Sequence, residues 1–178
     1  KAKGYDIFGS AIIEILNKHK NWNAVVIGDE ERESHIFKHK NLNLLGFQNH
    51  KKVLNIFKTT SISVVCSRWE EPFGRTSLES SSCGCAVIIT NRGGLPETIT
   101  NGVIIEKLNK KNVFNAIDKL IKNKKFRNNL QKLSLKNFNL TNKFSSDLID
   151  KYRNDILSNK SLVNKKGLKI LHVTNFNE

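Results

Sequence analysis

The stretch Ile62-Ser63-Val64-Val65-Cys66-Ser67-Arg68-Trp69-Glu70-Glu71-Pro72-Phe73-Gly74-Arg75-Thr76-Ser77-Leu78-Glu79 changes character twice within 18 residues. Residues 62–66 are mostly β-branched or small and apolar, as in a buried strand. Residues 67–74 are polar and contain Pro72 and Gly74, so a loop is expected there. A helix is expected to begin near Arg75 and to run towards Ser82. The same alternation extends in both directions. Further strands are expected at 24–27, 42–45, 86–89 and 102–105, bounded by Gly, Asp or Asn. Between them, Ile7, Ala11, Ile12, Ile15 and Leu16 share one face of a first helix, and Val53, Leu54 and Phe57 suit a short second. Pro96 and Glu97 open a fourth, with Pro at the first helical position and an acid at the positive end. From 113 to 136 the pattern is amphipathic: Val113, Ala116, Ile117, Leu120 and Ile121, then Leu130, Leu133 and Leu135, oppose a Lys and Asn face. Another helix follows over 145–157. Buried-type strands alternating with helices define an α/β fold, a Rossmann-like parallel sheet with helices on both faces. Such sheets bind ligands beyond the carboxyl ends of their strands. The loops after Ile27, Leu45, Cys66 and Ile89 are therefore the places to look for chemistry.

The loop after Cys66 holds the most. Seven residues separate Glu71 from Glu79. Gly74 lets backbone approach a ligand closely. A helix start just beyond it leaves N–H groups that favour phosphate. Glu79 falls about a turn into that helix, and helical side chains lean towards the N-terminus, so it can reach the ligand that Glu71 faces from the loop. A competing reading needs no ligand: Thr76 and Glu79 have the spacing of a capping box, worth about 0.5–2 kcal/mol. Likewise Glu71 reads equally as an exposed loop acid, and Gly93-Gly94 before Pro96 as a tight turn.

Taken together, Glu71-Pro72-Phe73-Gly74 with Glu79, Gly93-Gly94-Leu95-Pro96-Glu97, Gly46-Phe47 after a strand, and Lys3-Gly4 resemble glycosyltransferase family 4, the retaining GT-B enzymes. The resemblance covers residues 1–157. It implies half of a GT-B fold, the domain that binds a nucleotide-diphosphate sugar as donor. A Lys like Lys3 contacts the donor diphosphate in that family, with an Arg that would precede Lys1. Glu71 would meet the sugar hydroxyls and, with Lys3, serve the chemistry. Glu79 would meet the ribose hydroxyls. Backbone near Phe73, Gly74, Arg75 and Thr76 would meet sugar and phosphates, Gly94 would lie beside the donor, and Gly46-Phe47-Gln48 would lie by the base. The implied reaction is hexosyl-type transfer to an acceptor hydroxyl. No cofactor or metal is expected, since a Lys and a helix start supply positive charge for the diphosphate. Two other classes remain open at this point: a nucleotide-binding module without turnover, and a GT-B relative such as a sugar-nucleotide epimerase.

Composition sets the remaining bounds. The 178 residues favour one domain, and 38% hydrophobic with 26% charged residues is the balance of a globular protein. The apolar run at 86–89 is far short of the roughly 18 residues of a membrane span. The chain has no Met and opens on Lys1-Ala2-Lys3-Gly4. It is therefore expected to start inside the donor domain, after a first strand and an acceptor domain. That donor domain is expected over 1–157, followed by a Lys-rich linker at 158–167. A strand at 168–178 could start a further α/β domain. The net charge of +14 is spread over Lys and Asn everywhere, as codon bias would spread it. No aromatic-plus-basic stripe supports nucleic acid. The amphipathic run 113–136 is expected to form packing helices first of all, and its basic face is the place for the alternative, a peripheral contact with an anionic membrane. Cys66, Cys83 and Cys85 are odd in number, which favours reduced thiols in a cytoplasmic protein, and Cys83-Gly84-Cys85 lacks zinc spacing. They read as small buried hydrophobes. His35 and His39 are expected on a solvated helix face, and Asp29-Glu30-Glu31 in a solvated turn.

Overall fold

The structure is a computed structural model and describes residues 2–28 and 37–158. The expected segments at 158–167 and 168–178 lie, apart from Ser158, outside the described residues, as do His35 and Asp29-Glu30-Glu31. Helix α1 (Tyr5–Lys18) leads to β1 (Ala24–Val26) and β2 (Leu42–Leu44), followed by α2 (His50–Thr59) and β3 (Ile62–Val65). Then come α3 (Arg75–Ser82), β4 (Ala86–Thr90), a 3-10 turn (Leu95–Thr98), β5 (Gly102–Ile105), α4 (Lys110–Lys122), α5 (Lys124–Lys136) and α6 (Asn142–Ser158). All strand pairs are parallel. Chain contacts divide the molecule into Lys1–Phe138 and Asn139–Glu178. Helix α6 falls in the second unit, where Phe144, Ile149, Tyr152 and Ile156 are exposed.

β4 is the centre of the first unit, and all five of its residues are buried. Its side chains alternate between two faces. Ala86 and Ile88 join Ile12, Ile15 and Leu16 of α1 with Val113, Ile117 and Leu120 of α4. Val87 and Ile89 join Phe57, Val53 and Leu54 of α2, with Leu95 and Ile99. Helices thus cover both faces, and each buried Ile or Val contributes roughly 1.5–3 kcal/mol. Cys66 and Cys85 lie within these two clusters, and burial pushes both thiols up to about 12. They remain protonated and pack as apolar groups.

The structure departs from the sequence expectation in several places. The ladder is divided: β1 pairs with β2, and β3-β4-β5 form a separate run. β1 and β2 have only three residues each, and Val25 and Leu44 are exposed, so one face of this pair is thinly covered. The segment at Pro96 is a four-residue 3-10 turn rather than a fourth α-helix. The Thr98 hydroxyl donates to the Leu95 carbonyl at 2.7 Å and meets the Ser77 hydroxyl at 2.6 Å, and Ile99 is already extended. The amphipathic run at 113–136 is helical as expected, in two helices that meet at Asn123, whose side chain accepts from Phe126 N at 2.8 Å. Asn49 and Asn109 cap α2 and α4 in the same way, each worth about 1 kcal/mol. Some of the abundant Asn therefore has a structural use. His39 is not helical; its Nδ1 accepts from Asn41 N at 3.0 Å and shapes the turn before β2.

α1 and α4 are also joined by charge. Asp118 accepts from His19 at 2.7 Å, and pairs with Lys18 at 2.9 Å and Lys122 at 3.0 Å. Burial pushes its carboxyl upward, but the bonds from His19, Lys18 and Lys122 outweigh that and hold it well below the carboxylate range.

Candidate functional site

The carboxyl ends of β2, β3 and β4 feed three loops. The loop after β3 is fixed first by buried hydroxyls. Ser67 N donates to Thr90 Oγ1 at 3.0 Å, and Thr90 Oγ1 donates back to the Ser67 carbonyl at 2.9 Å. The Ser67 hydroxyl donates to Glu71 Oε1 at 2.8 Å, and Lys3 Nζ donates to the same oxygen at 2.5 Å. Glu71 is buried, with 11% of its side chain exposed against 69% for Lys3. It is therefore not an ordinary exposed loop acid. A carboxylate this far from water needs such partners to offset its lost hydration.

Lys3 is brought there by backbone. Arg68 N donates to the Ala2 carbonyl at 2.8 Å. A side chain at Gly4 would sit 2.5 Å from the Cys66 carbonyl oxygen, so only Gly lets α1 start this close to the loop. Arg68 holds Asp6 through both oxygens, at 2.7 and 2.6 Å. The Arg68 hydrogen bonds hold the Asp6 carboxyl at about 2. Because this value lies below the ordinary 3.8, the pair's stability is fully present above about pH 4 and is lost as pH falls towards 2. Asp6→Asn should cost about 1–2 kcal/mol at pH 7. Urea unfolding should show the gap from the parent narrowing to roughly half at about pH 3 and nearly closed by about pH 2; a gap unchanged from pH 7 down to about pH 2 would contradict this pairing.

The loop after β4 packs on the same segment. Gly94 N donates to the Glu71 carbonyl at 2.7 Å, and a side chain at Gly93 would meet that carbonyl oxygen at 2.3 Å. Glu70 Oε1 accepts from Arg92 at 2.9 Å, and its Oε2 from Gly93 N at 2.6 Å. These bonds, that of Arg92 foremost, lower the Glu70 carboxyl. Pairings of Lys3 with Glu71, Arg68 with Asp6 and Arg92 with Glu70 thus assemble one site from three segments.

α3 begins at Arg75 with Gly74 as N-cap at φ 93°, and no side chain caps it. The expected capping box is therefore absent: Thr76 is inside the helix, two residues past Gly74, which holds the capping position. The first-turn N–H groups have no side-chain acceptor and carry the positive end of the helix dipole. Further along α3, Glu79 Oε1 accepts from His50 Nε2 at 3.1 Å and Arg75 at 3.3 Å. The loop after β2 carries Gly46 at φ 61°, and Phe47 is 81% exposed. Phe73 and Thr76 are exposed as well.

The structure thus brings Lys3 and Gly94 onto Glu71, places Gly74 three residues further along the same loop, and links Glu79 through His50 to the segment after Gly46-Phe47. Sequence reading missed Ser67, the Glu70–Arg92 pair and His50. Ser67 is four residues before Glu71 in a loop, where spacing implies no contact, and His50 meets Glu79 only through the tertiary fold.

A parallel α/β domain whose strand ends converge on an uncapped helix start, a Lys and a buried carboxylate has the features of a phosphate-ligand site. The chain belongs to the glycosyl transferases group 1 family, whose model matches residues 1–136. It is 30% identical over 152 residues to spore coat protein SA of Bacillus subtilis, covering 75% of this chain and 40% of that protein. The C-terminal domain of a group 1 glycosyl transferase, LpcC of Francisella tularensis, superposes with TM-score 0.67 at 28% identity, over 76% of this chain and 77% of that one. HepE of Anabaena, solved with UDP-glucose, shares the fold at TM-score 0.62 and 19% identity, over 88% of this chain and 45% of that one. The chain thus spans less than half the length of spore coat protein SA. Among the described residues no helix is long and apolar enough to cross a membrane.

Proposed function

We propose that this chain is the donor-binding half of a retaining glycosyltransferase that holds a nucleoside-diphosphate sugar. The observation that carries this reading is the Lys3–Glu71 pair in the loop that leads, three residues after Glu71, into the uncapped start of α3 at Gly74. Glu71 uses Oε1 for Lys3 and Ser67, and among the described residues no hydrogen bond reaches its Oε2. That oxygen is the acceptor for a donor-sugar hydroxyl. Lys3 has three N–H donors, so it can hold Glu71 and a phosphate oxygen together. In the transfer, the bond from the anomeric carbon to the diphosphate breaks, a bond from that carbon to the acceptor oxygen forms, and the proton of the acceptor hydroxyl passes to the released diphosphate. Charge then grows on the departing phosphate. Lys3 and the α3 N–H groups stabilise it from fixed positions, and the rest of the chain's part is holding the sugar in place. HepE was solved with UDP-glucose, which makes uridine nucleotides the first donors to try.

The test is transfer by the complete protein. With a matched donor and acceptor it should release nucleoside diphosphate in step with glycoside formation. The present chain alone should not do so at a useful rate, because it spans only 40% of spore coat protein SA and 45% of HepE. Robust turnover by this chain alone would contradict the division of labour. Activity of the complete protein should also persist in a chelator, because Lys3 and the helix start serve the diphosphate. Complete loss with EDTA, restored by Mn²⁺ or Mg²⁺, would refute that part.

A further inference from the structure

We propose that His50 is a positioning residue for ribose recognition, acting through Glu79. The proposal rests on the donor-site reading above and adds a residue to it. Glu79 is largely buried, with 20% of its side chain exposed, while His50 is 59% exposed. Both His50 Nε2 and Arg75 donate to Oε1 of Glu79, and among the described residues no hydrogen bond reaches Oε2. A carboxylate anchored through one oxygen has its plane set and presents the other oxygen to a diol. Of the two anchors, Arg75 is the looser: its side chain is 76% exposed and its contact is longer, at 3.3 Å. The imidazole is short and has few rotamers to lose. It also starts from a fixed point. His50 is the first residue of α2, directly after Asn49, whose side chain accepts from Lys52 N at 2.9 Å.

The same placement couples two parts of the site. Gly46-Phe47-Gln48 immediately precedes Asn49 and is tied to the strand edge by Gly28 N donating to the Gly46 carbonyl at 3.0 Å. Gln48 Nε2 folds back to the Leu45 carbonyl at 2.6 Å. The His50–Glu79 bond therefore links the base-side loop to the ribose-side carboxylate. It makes the nucleoside's two halves read by one connected unit.

The experiment compares UDP with 2′,3′-dideoxy-UDP by titration calorimetry on the complete protein, and GDP with its dideoxy form if uridine nucleotides do not bind. The parent should prefer the ribose form by roughly 10-fold or more. His50→Ala should reduce that preference to about 3-fold or less, and His50→Gln, which keeps an N–H donor, should restore part of it. In the Glu79→Gln background, adding His50→Ala should change nothing further. If His50→Ala keeps the preference while Glu79→Gln loses it, the His50 proposal falls and the donor site stands. If His50→Ala weakens both ligands equally, His50 is merely structural and the proposal falls. If Glu79→Gln keeps the full preference too, the donor-site reading fails with it.

Discussion

Glu71→Gln should weaken binding of a nucleotide sugar and largely spare the matching nucleoside diphosphate, while Glu79→Gln should weaken both. The asymmetry follows from what each carboxylate is proposed to meet: the sugar for Glu71, the ribose for Glu79. A hydrogen bond to a charged group is worth about 1.5–3 kcal/mol, or roughly 10- to 150-fold in affinity. Each carboxylate is anchored through Oε1, by Lys3 and Ser67 in one case and by His50 and Arg75 in the other. Replacement by Gln keeps the volume and one acceptor oxygen but removes the charge. At position 71 the remaining Lys3 is exposed enough to be solvated, so little stability should be lost. The capping box expected of Thr76 and Glu79 does not form, which removes the main structural reason for Glu79 to resist substitution. Calorimetry on the complete protein, with both ligands and both variants, decides the matter. If both variants bind both ligands like the parent, neither carboxylate belongs to a donor site.

The fold was legible because its core signal is local. Residues 86–89 form an unbroken apolar run, and in the structure all of β4 is buried between two helical layers. Ile12, Ile15 and Leu16 lie at helical spacing and share one buried face of α1. The divided ladder was not legible, because pairing between strands depends on contacts that no single segment encodes. Pro96 misled in a different way: Pro at a first position favours a helix start, but Thr98 and Ser77 close the turn after four residues. For the site, chemistry-bearing residues were legible as types at a spacing, and their partners were not. Glu71 and Glu79 could be marked, but Ser67, Glu70, Arg92 and His50 act through contacts set by the fold. Lys3 gained its significance only from resemblance, and the structure adds the ion pair to Glu71.

Gly93→Ala should cost more than a substitution at any other loop glycine of this kind, in stability and in binding together. Gly93 has φ 52°, a left-handed conformation that costs roughly 1–2 kcal/mol in a residue with a side chain. A Cβ there would lie 2.3 Å from the Glu71 carbonyl oxygen, 2.7 Å from Glu71 N and 2.8 Å from the Glu70 carbonyl carbon. All three are backbone atoms, so no rotamer change relieves the clash, and the loops after β3 and β4 must separate. Separation would stretch the bonds from Gly94 N to the Glu71 carbonyl and from Gly93 N to Glu70. It would also carry the Glu71 carboxylate away from Lys3 and Ser67. Strain and overpacking together should cost about 2–4 kcal/mol, and affinity for the nucleotide sugar should fall at least as far as in Glu71→Gln. Gly46→Ala is the matched control. Its φ is 61°, but nothing lies within 4 Å of the added Cβ, so it carries the strain without the clash. Urea unfolding of the two variants separates strain from clash, and nucleotide-sugar titration of Gly93→Ala against the parent reads the effect on the site. If Gly93→Ala costs no more than Gly46→Ala and leaves binding intact, the contact between the two loops is not what holds Glu71 in place.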